Sequence, residues 1–115
     1  MTDFDASAID QLRPYGAALV AQMIDLFLDT VPPRIDAARA AAGAGDHEGV
    51  REAMHSAKAA AGQVGAVALQ RSCTAAEAAA RARVPAEELQ ALVGHAARDM
   101  ERAVEWLGTA RGREG

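Results

Sequence analysis

Four long stretches of this chain repeat apolar residues at three- and four-residue spacing, and little more than single glycines and prolines separates them. That period marks helices that each bury one face. Residues 46–64 are the clearest case, with Val50, Met54, Ala57, Ala61 and Val64 inside about 80° of arc on a helical wheel. The core these stripes can build is constrained in turn. Aromatic residues make up only 3% of the sequence, and alanine is the commonest residue. Small side chains of high helix propensity favour closely apposed helices over a sheet. A length of 115 residues suits one compact domain, so residues 1–115 are read as a single unit.

The punctuation places the elements. Asp5 can cap a short first helix at about 6–12, with Phe4 and Ile9 at the two positions of a hydrophobic staple. Pro14 and Gly16 end it. A helix of about 17–30 carries Val20, Met23, Ile24 and Phe27, and Pro32-Pro33 is expected to interrupt it because Pro32 has no backbone donor. Pro33 is acceptable in the first turn of a segment to about 44, so the two pieces form one kinked arm, 17–44. Asp46 is a good N-cap for the helix of about 46–64, and Gly65 a good left-handed terminator. The next helix, about 67–83, buries Leu69, Cys73, Ala76 and Ala80. Pro85 opens the last, about 85–109, whose stripe is Leu89, Leu92, Val93, Ala96, Met100, Ala103 and Leu107. Residues after Gly108 are expected to fray. The fold class is therefore all-α: an antiparallel four-helix bundle with a short N-terminal helix.

Charge excludes some functions. The formal net charge is −4, whereas a nucleic-acid binder needs a basic surface. No stretch has the length of a membrane span, and the N-terminus has no signal-peptide pattern, so a cytoplasmic protein without membrane contact is expected. The apolar stripes can be satisfied within one chain, which favours a monomer. Cys73 is the only cysteine, so there is no intrachain disulfide.

On the wheel of helix 46–64, with the core stripe at zero, Lys58 falls at about 80°, Gly62 at about 120°, His55 at about 140° and Ala59 at about 180°. An imidazole thus stands outward on a surface of very small residues, with a cation one turn away. Lys58 is the only lysine in a chain with eleven arginines. A neutral imidazole nitrogen is a competent nucleophile near pH 7, because the ordinary histidine pKa is about 6.5.

The run His55-Ser-Ala-Lys58-Ala-Ala-Ala-Gly62-Gln-Val-Gly65 resembles the signature of histidine-containing phosphotransfer domains: His-x-x-Lys, then small residues and a glycine ten positions after the histidine. Leu26-Phe27-Leu28-Asp29 and Ala44-Gly45-Asp46 upstream, and Leu69, Cys73 and Glu77 downstream, extend the resemblance over about residues 4–107. Ala59 departs from it, since the family usually has glycine directly after the lysine. The resemblance implies that His55 accepts a phosphoryl group from a receiver-domain aspartyl phosphate and passes it to another receiver. Lys58 would stabilise phosphoryl charge, and Ala59 and Gly62 would form the docking surface. The implied partners are response-regulator receivers and a hybrid histidine kinase. The chain would be a phosphocarrier and co-substrate rather than an enzyme, with no cofactor of its own and Mg²⁺ held by the receiver.

Plainer readings apply elsewhere. His47 and His95 are expected to be solvated, Cys73 to be core, Trp106 to be packing and Gly65 to be a cap. Glu52 and His55 form one E-x-x-H pair, but a di-iron bundle needs two facing inward, and this one points outward. A metal site is therefore not expected. The main alternative is a module that docks on receivers without accepting phosphate. A fragment of a larger sensor kinase is disfavoured by the Met1 start and the lack of linkers.

Overall fold

The computed structural model describes residues 3–113, and these contain helices and turns but no strand. A one-turn helix α1 (Ser7–Asp10) and a 3-10 turn (Arg13–Tyr15) lead into α2 (Ala17–Gly43), α3 (His47–Val64), α4 (Val67–Arg81) and α5 (Ala86–Arg113). The four long helices form a ring in which α2 packs on α3, α3 on α4, α4 on α5 and α5 back on α2. Short turns make consecutive helices antiparallel, giving the four-helix bundle that the apolar period predicts.

The α3 stripe faces inward as its spacing requires: Val50, Met54, Ala57, Ala61 and Val64 are all within 2% of full burial. Asp46 caps this helix by accepting a hydrogen bond from the Gly49 amide at 2.9 Å. Gly65 terminates it at φ +78°, a left-handed conformation that costs a residue with a Cβ about 1–2 kcal/mol. A Cβ there would also drive into the carbonyl oxygen of Asp5. The close approach exists because the N-terminal segment is strapped across this end of the bundle. The Asp5 amide donates to the Gly65 carbonyl at 2.7 Å, and the Ala68 amide donates to the Asp3 carbonyl at 2.9 Å. Arg102 holds the Asp3 carboxylate at 2.6 Å, and Phe4 stacks on Trp106 with ring centroids 4.7 Å apart. Phe4 thus packs on the last helix rather than acting only as a local staple, and α1 is shorter than the expected 6–12. The N-cap is Ala6 rather than the expected Asp5, which stands one residue earlier and accepts from the Ser7 amide at 3.0 Å.

Two expectations need correction. The 17–44 arm is not interrupted: α2 runs through Pro32 and Pro33 as one helix. The prolines deprive the Leu28 and Asp29 carbonyls of their helical donors. However, Asp29 and Pro33 lie on the exposed side, where water can serve the freed groups, while Val31 and Ile35 on the other side are fully buried. Packing of that face outweighs the missing bonds. Nor does the helix stop at 109, and of the tail expected to fray only 114–115 lies outside the described residues. Helix α5 continues to Arg113, because Ala110 extends the buried stripe and Arg111 pairs with Asp25 of α2 at 3.1 Å. An exposed glycine inside a helix costs only about 1 kcal/mol relative to alanine.

Candidate functional site

His55 projects from the middle of α3 with 61% of its side chain exposed, on the outer face that the wheel assigns it. Its Nδ1 lies 2.9 Å from Oε2 of Glu77 on α4. The other carboxylate oxygen, Oε1, accepts from Lys58 Nζ at 2.6 Å. Arg81, one turn along α4, places Nη2 3.1 Å from Oε2. One carboxylate therefore gathers an imidazole and two cations, and its own side chain is only 4% exposed. Burial by itself would raise the Glu77 pKa. The hydrogen bonds from Lys58 and His55 and the charges of Lys58 and Arg81 outweigh it, holding the carboxyl below its ordinary value.

An ionised carboxylate can only accept. Nδ1 of His55 must therefore carry its proton toward Glu77, and in the neutral ring the lone pair is on Nε2, on the solvent side. The tautomer follows from the partner, as it does for metal-bound and triad histidines. The result is a surface imidazole of fixed orientation, able to act as a nucleophile and flanked on one side by positive charge. No base is needed to withdraw a proton from it, unlike a serine hydroxyl.

Ala59 is exposed beside His55. Gly62 is partly covered, because the amide of Gln70 lies over it: a Cβ at Gly62 would meet Gln70 Nε2 at 2.8 Å. The flexible end of Gln70 is thus part of the surface that the wheel assigned to bare glycine. Cys73 is fully buried, and burial pushes its thiol up to about 12. Trp106 packs as expected. Glu52 is exposed next to Arg51. Among the described residues no cluster of three or more His, Cys, Asp or Glu is placed to hold a metal.

Of the two histidines expected to be solvated, His95 is exposed and His47 is not. His47 is half-buried, with Nε2 2.7 Å from the Val84 carbonyl and Nδ1 3.1 Å from the Gly45 carbonyl. It ties the α2–α3 turn to the α4–α5 turn, where Arg83 adopts φ +54°. His95 is exposed, but its Nε2 stands 3.4 Å from Asp99, a buried carboxylate that accepts from Ser72 Oγ at 2.7 Å.

Glu77 is the residue whose role sequence reasoning missed. The signal was present: position 77 follows Cys73 by four, so it falls beside the apolar stripe of α4, where a lone carboxylate needs a partner. Which cation or imidazole would supply it depends on the register of α3 against α4, which no local spacing encodes.

No helix among the described residues is long and apolar enough to cross a membrane. No curated protein matches the sequence. The crystal structure of histidine-containing phosphotransfer protein B (HptB) from Pseudomonas aeruginosa PAO1 has the same fold, with a TM-score of 0.88 at 24% identity over 96% of each chain. The sequence model of the Hpt domain matches residues 22–107, a span that contains His55, Lys58, Glu77 and Arg81, and the chain belongs to the Hpt domain family.

Proposed function

We propose that this protein carries a phosphoryl group on Nε2 of His55, taking it from the aspartyl phosphate of one receiver domain and giving it to the aspartate of another. Membership of the family makes the chain a phosphotransfer intermediate of two-component signalling. The finer reading rests above all on one observation, the exposed imidazole whose Nδ1 is held at 2.9 Å by a buried carboxylate. In the forward step the Nε2 lone pair forms a bond to phosphorus. The bond between phosphorus and the aspartyl oxygen breaks, and its electron pair stays on the aspartate carboxylate. The Nδ1 proton stays on the ring, where Glu77 stabilises the positive charge that nitrogen gains. The reverse step returns the electron pair to Nε2.

Lys58 supplies positive charge beside the transferring group from its seat on Glu77, the device that recurs in phosphoryl transfer. Ala59 leaves room for a receiver, and at Gly62 the flexible end of Gln70 gives way to it, so that the aspartyl phosphorus can come within about 3–3.5 Å of the nitrogen. Any Mg²⁺ belongs to the receiver's acidic pocket, so the chain acts as carrier and co-substrate while its partners, a hybrid kinase and receivers, supply most of the catalytic groups. The test is His55→Gln. This variant keeps the fold, because the side chain is mostly exposed and Glu77 retains Lys58 and Arg81, and loses all labelling from a phosphorylated receiver. The wild-type label is a phosphoramidate, lost in acid and stable in alkali. Undiminished labelling of the variant, or wild-type binding to receivers without label transfer, would refute the proposal.

A further inference from the structure

Glu77 receives two cations, and they are held differently. Lys58 sits 2.6 Å from Oε1 and is 30% exposed, pinned between α3 and α4. Arg81 is 59% exposed and contacts Oε2 at 3.1 Å, the same oxygen that takes the proton of His55 Nδ1. The guanidinium and the imidazole therefore converge on a single atom. A guanidinium carries five donors in a planar fork that matches two oxygens of a phosphoryl group. One contact with Glu77 uses only part of that fork, and the long, half-solvated stem lets the rest turn outward.

Resting on the phosphocarrier reading of His55, we infer that Arg81 is a phosphoryl-retaining residue. Once His55 is phosphorylated, the guanidinium of Arg81 turns to the phosphoryl oxygens, while Lys58 keeps Glu77 in place. Charge and reach both favour this division. Phosphorylation adds about 1.5–2 negative charges at neutral pH, a stronger attraction for an exposed guanidinium than one carboxylate shared among three donors. The consequence lies in lifetime more than in acceptance. Hydrolysis needs a water oxygen to bond to phosphorus as the N–P bond breaks. Its electron pair returns to Nε2, and the water's proton leaves with the phosphate or to solvent. The transition state for that loss is loose and metaphosphate-like, so its peripheral oxygens carry less charge than those of the bound group. Without a docked receiver, a cation bound to those oxygens stabilises the phosphorylated dianion more than the transition state and slows its decay, whereas the charge of Lys58 acts on the group in transit between docked proteins.

The experiment labels the full chain with phosphoramidate, a donor that needs no docking surface, and follows decay of the phosphohistidine by ³¹P NMR in wild type, Arg81→Gln and Arg81→Lys. Arginine side-chain ¹H–¹⁵N signals are recorded before and after labelling. The expected result is a half-life about fivefold shorter in Arg81→Gln, the scale of one exposed charge pair, with partial recovery in Arg81→Lys. The half-life falls by more than the labelling rate does, and the wild-type Arg81 Nε–H signal shifts on phosphorylation. Equal half-lives, an unmoved Arg81 signal, or a loss confined to the labelling rate would overturn the inference, the last by showing that Arg81 acts only through Glu77. If wild type takes no label at all, the phosphocarrier reading itself falls, and this inference with it.

Discussion

Replacing Glu77 by glutamine tests the site at its centre, because it keeps the shape of the side chain and removes the charge. The buried oxygen that accepts from His55 at 2.9 Å would become one end of a neutral amide. That amide cannot accept from the imidazole, the ammonium and the guanidinium together, and its other end is itself a donor. A hydrogen bond to a charged partner contributes about 1.5–3 kcal/mol. Losing that preference for the Nδ1–H tautomer should lower the rate of phosphoryl acceptance by about tenfold to a hundredfold. Stability should fall less. Stranding a buried charge costs about 3–5 kcal/mol, but His55, Lys58 and Arg81 are all partly solvated and can turn to water, so about 1–2 kcal/mol is expected. Single-turnover labelling by phosphoramidate gives the rate, urea unfolding the stability, and ¹⁵N shifts of the His55 ring the tautomer. A Glu77→Gln rate close to that of wild type, with an unchanged ring tautomer, would refute the argument that Glu77 sets the nucleophile.

Ala59→Gln should reduce transfer from a receiver by about tenfold or more, since a long side chain would hold the reacting atoms apart, while phosphoramidate still labels His55. Gly62→Gln should act in the same direction after displacing the Gln70 amide; normal receiver transfer in both variants would place the docking face elsewhere. Gly65→Ala should cost at least about 2 kcal/mol in urea unfolding, from the left-handed strain plus the lost Asp5–Gly65 bond. Glu77 titrates below its ordinary value of 4.5, so its contribution is present at neutral pH. It is lost as the pH falls from about that value through the lowered one. Acid unfolding of Glu77→Gln should therefore be less steep than that of wild type in that range.

The helices were legible because their information is local. Stripe period, the Asp46 cap and the Gly65 terminator all act within a few residues of where they are read, and α3 occupies the span they predict. Pro32-Pro33 misled because a helix-breaking rule concerns one turn, whereas the burial of Val31 and Ile35 belongs to the whole bundle. The same holds for the C-terminal end, where Arg111 finds Asp25 across the molecule. The outward placement of His55 and Ala59, with Lys58 beside them, was legible because one helix carries all three. Glu77 and Arg81 were not, because their part depends on how α4 is set against α3, and His47 was misjudged because its acceptor Val84 lies in a distant turn.

The bond between His55 and Glu77 crosses from one helix to its neighbour, so the orientation of the imidazole is set by the alignment of two rods and not by one. A longitudinal slip of α4 by one residue amounts to about 1.5 Å, enough to take a 2.9 Å contact out of hydrogen-bonding range. Helix α3 packs closely on α4, Ala57 and Ala61 of the one and Cys73 and Ala76 of the other are fully buried, and such short side chains have few rotamers with which to absorb a change. An added methylene deep in that seam would therefore be read at the surface, as a change in the orientation of the His55 ring. The core of this bundle is in effect the gauge that sets its chemistry.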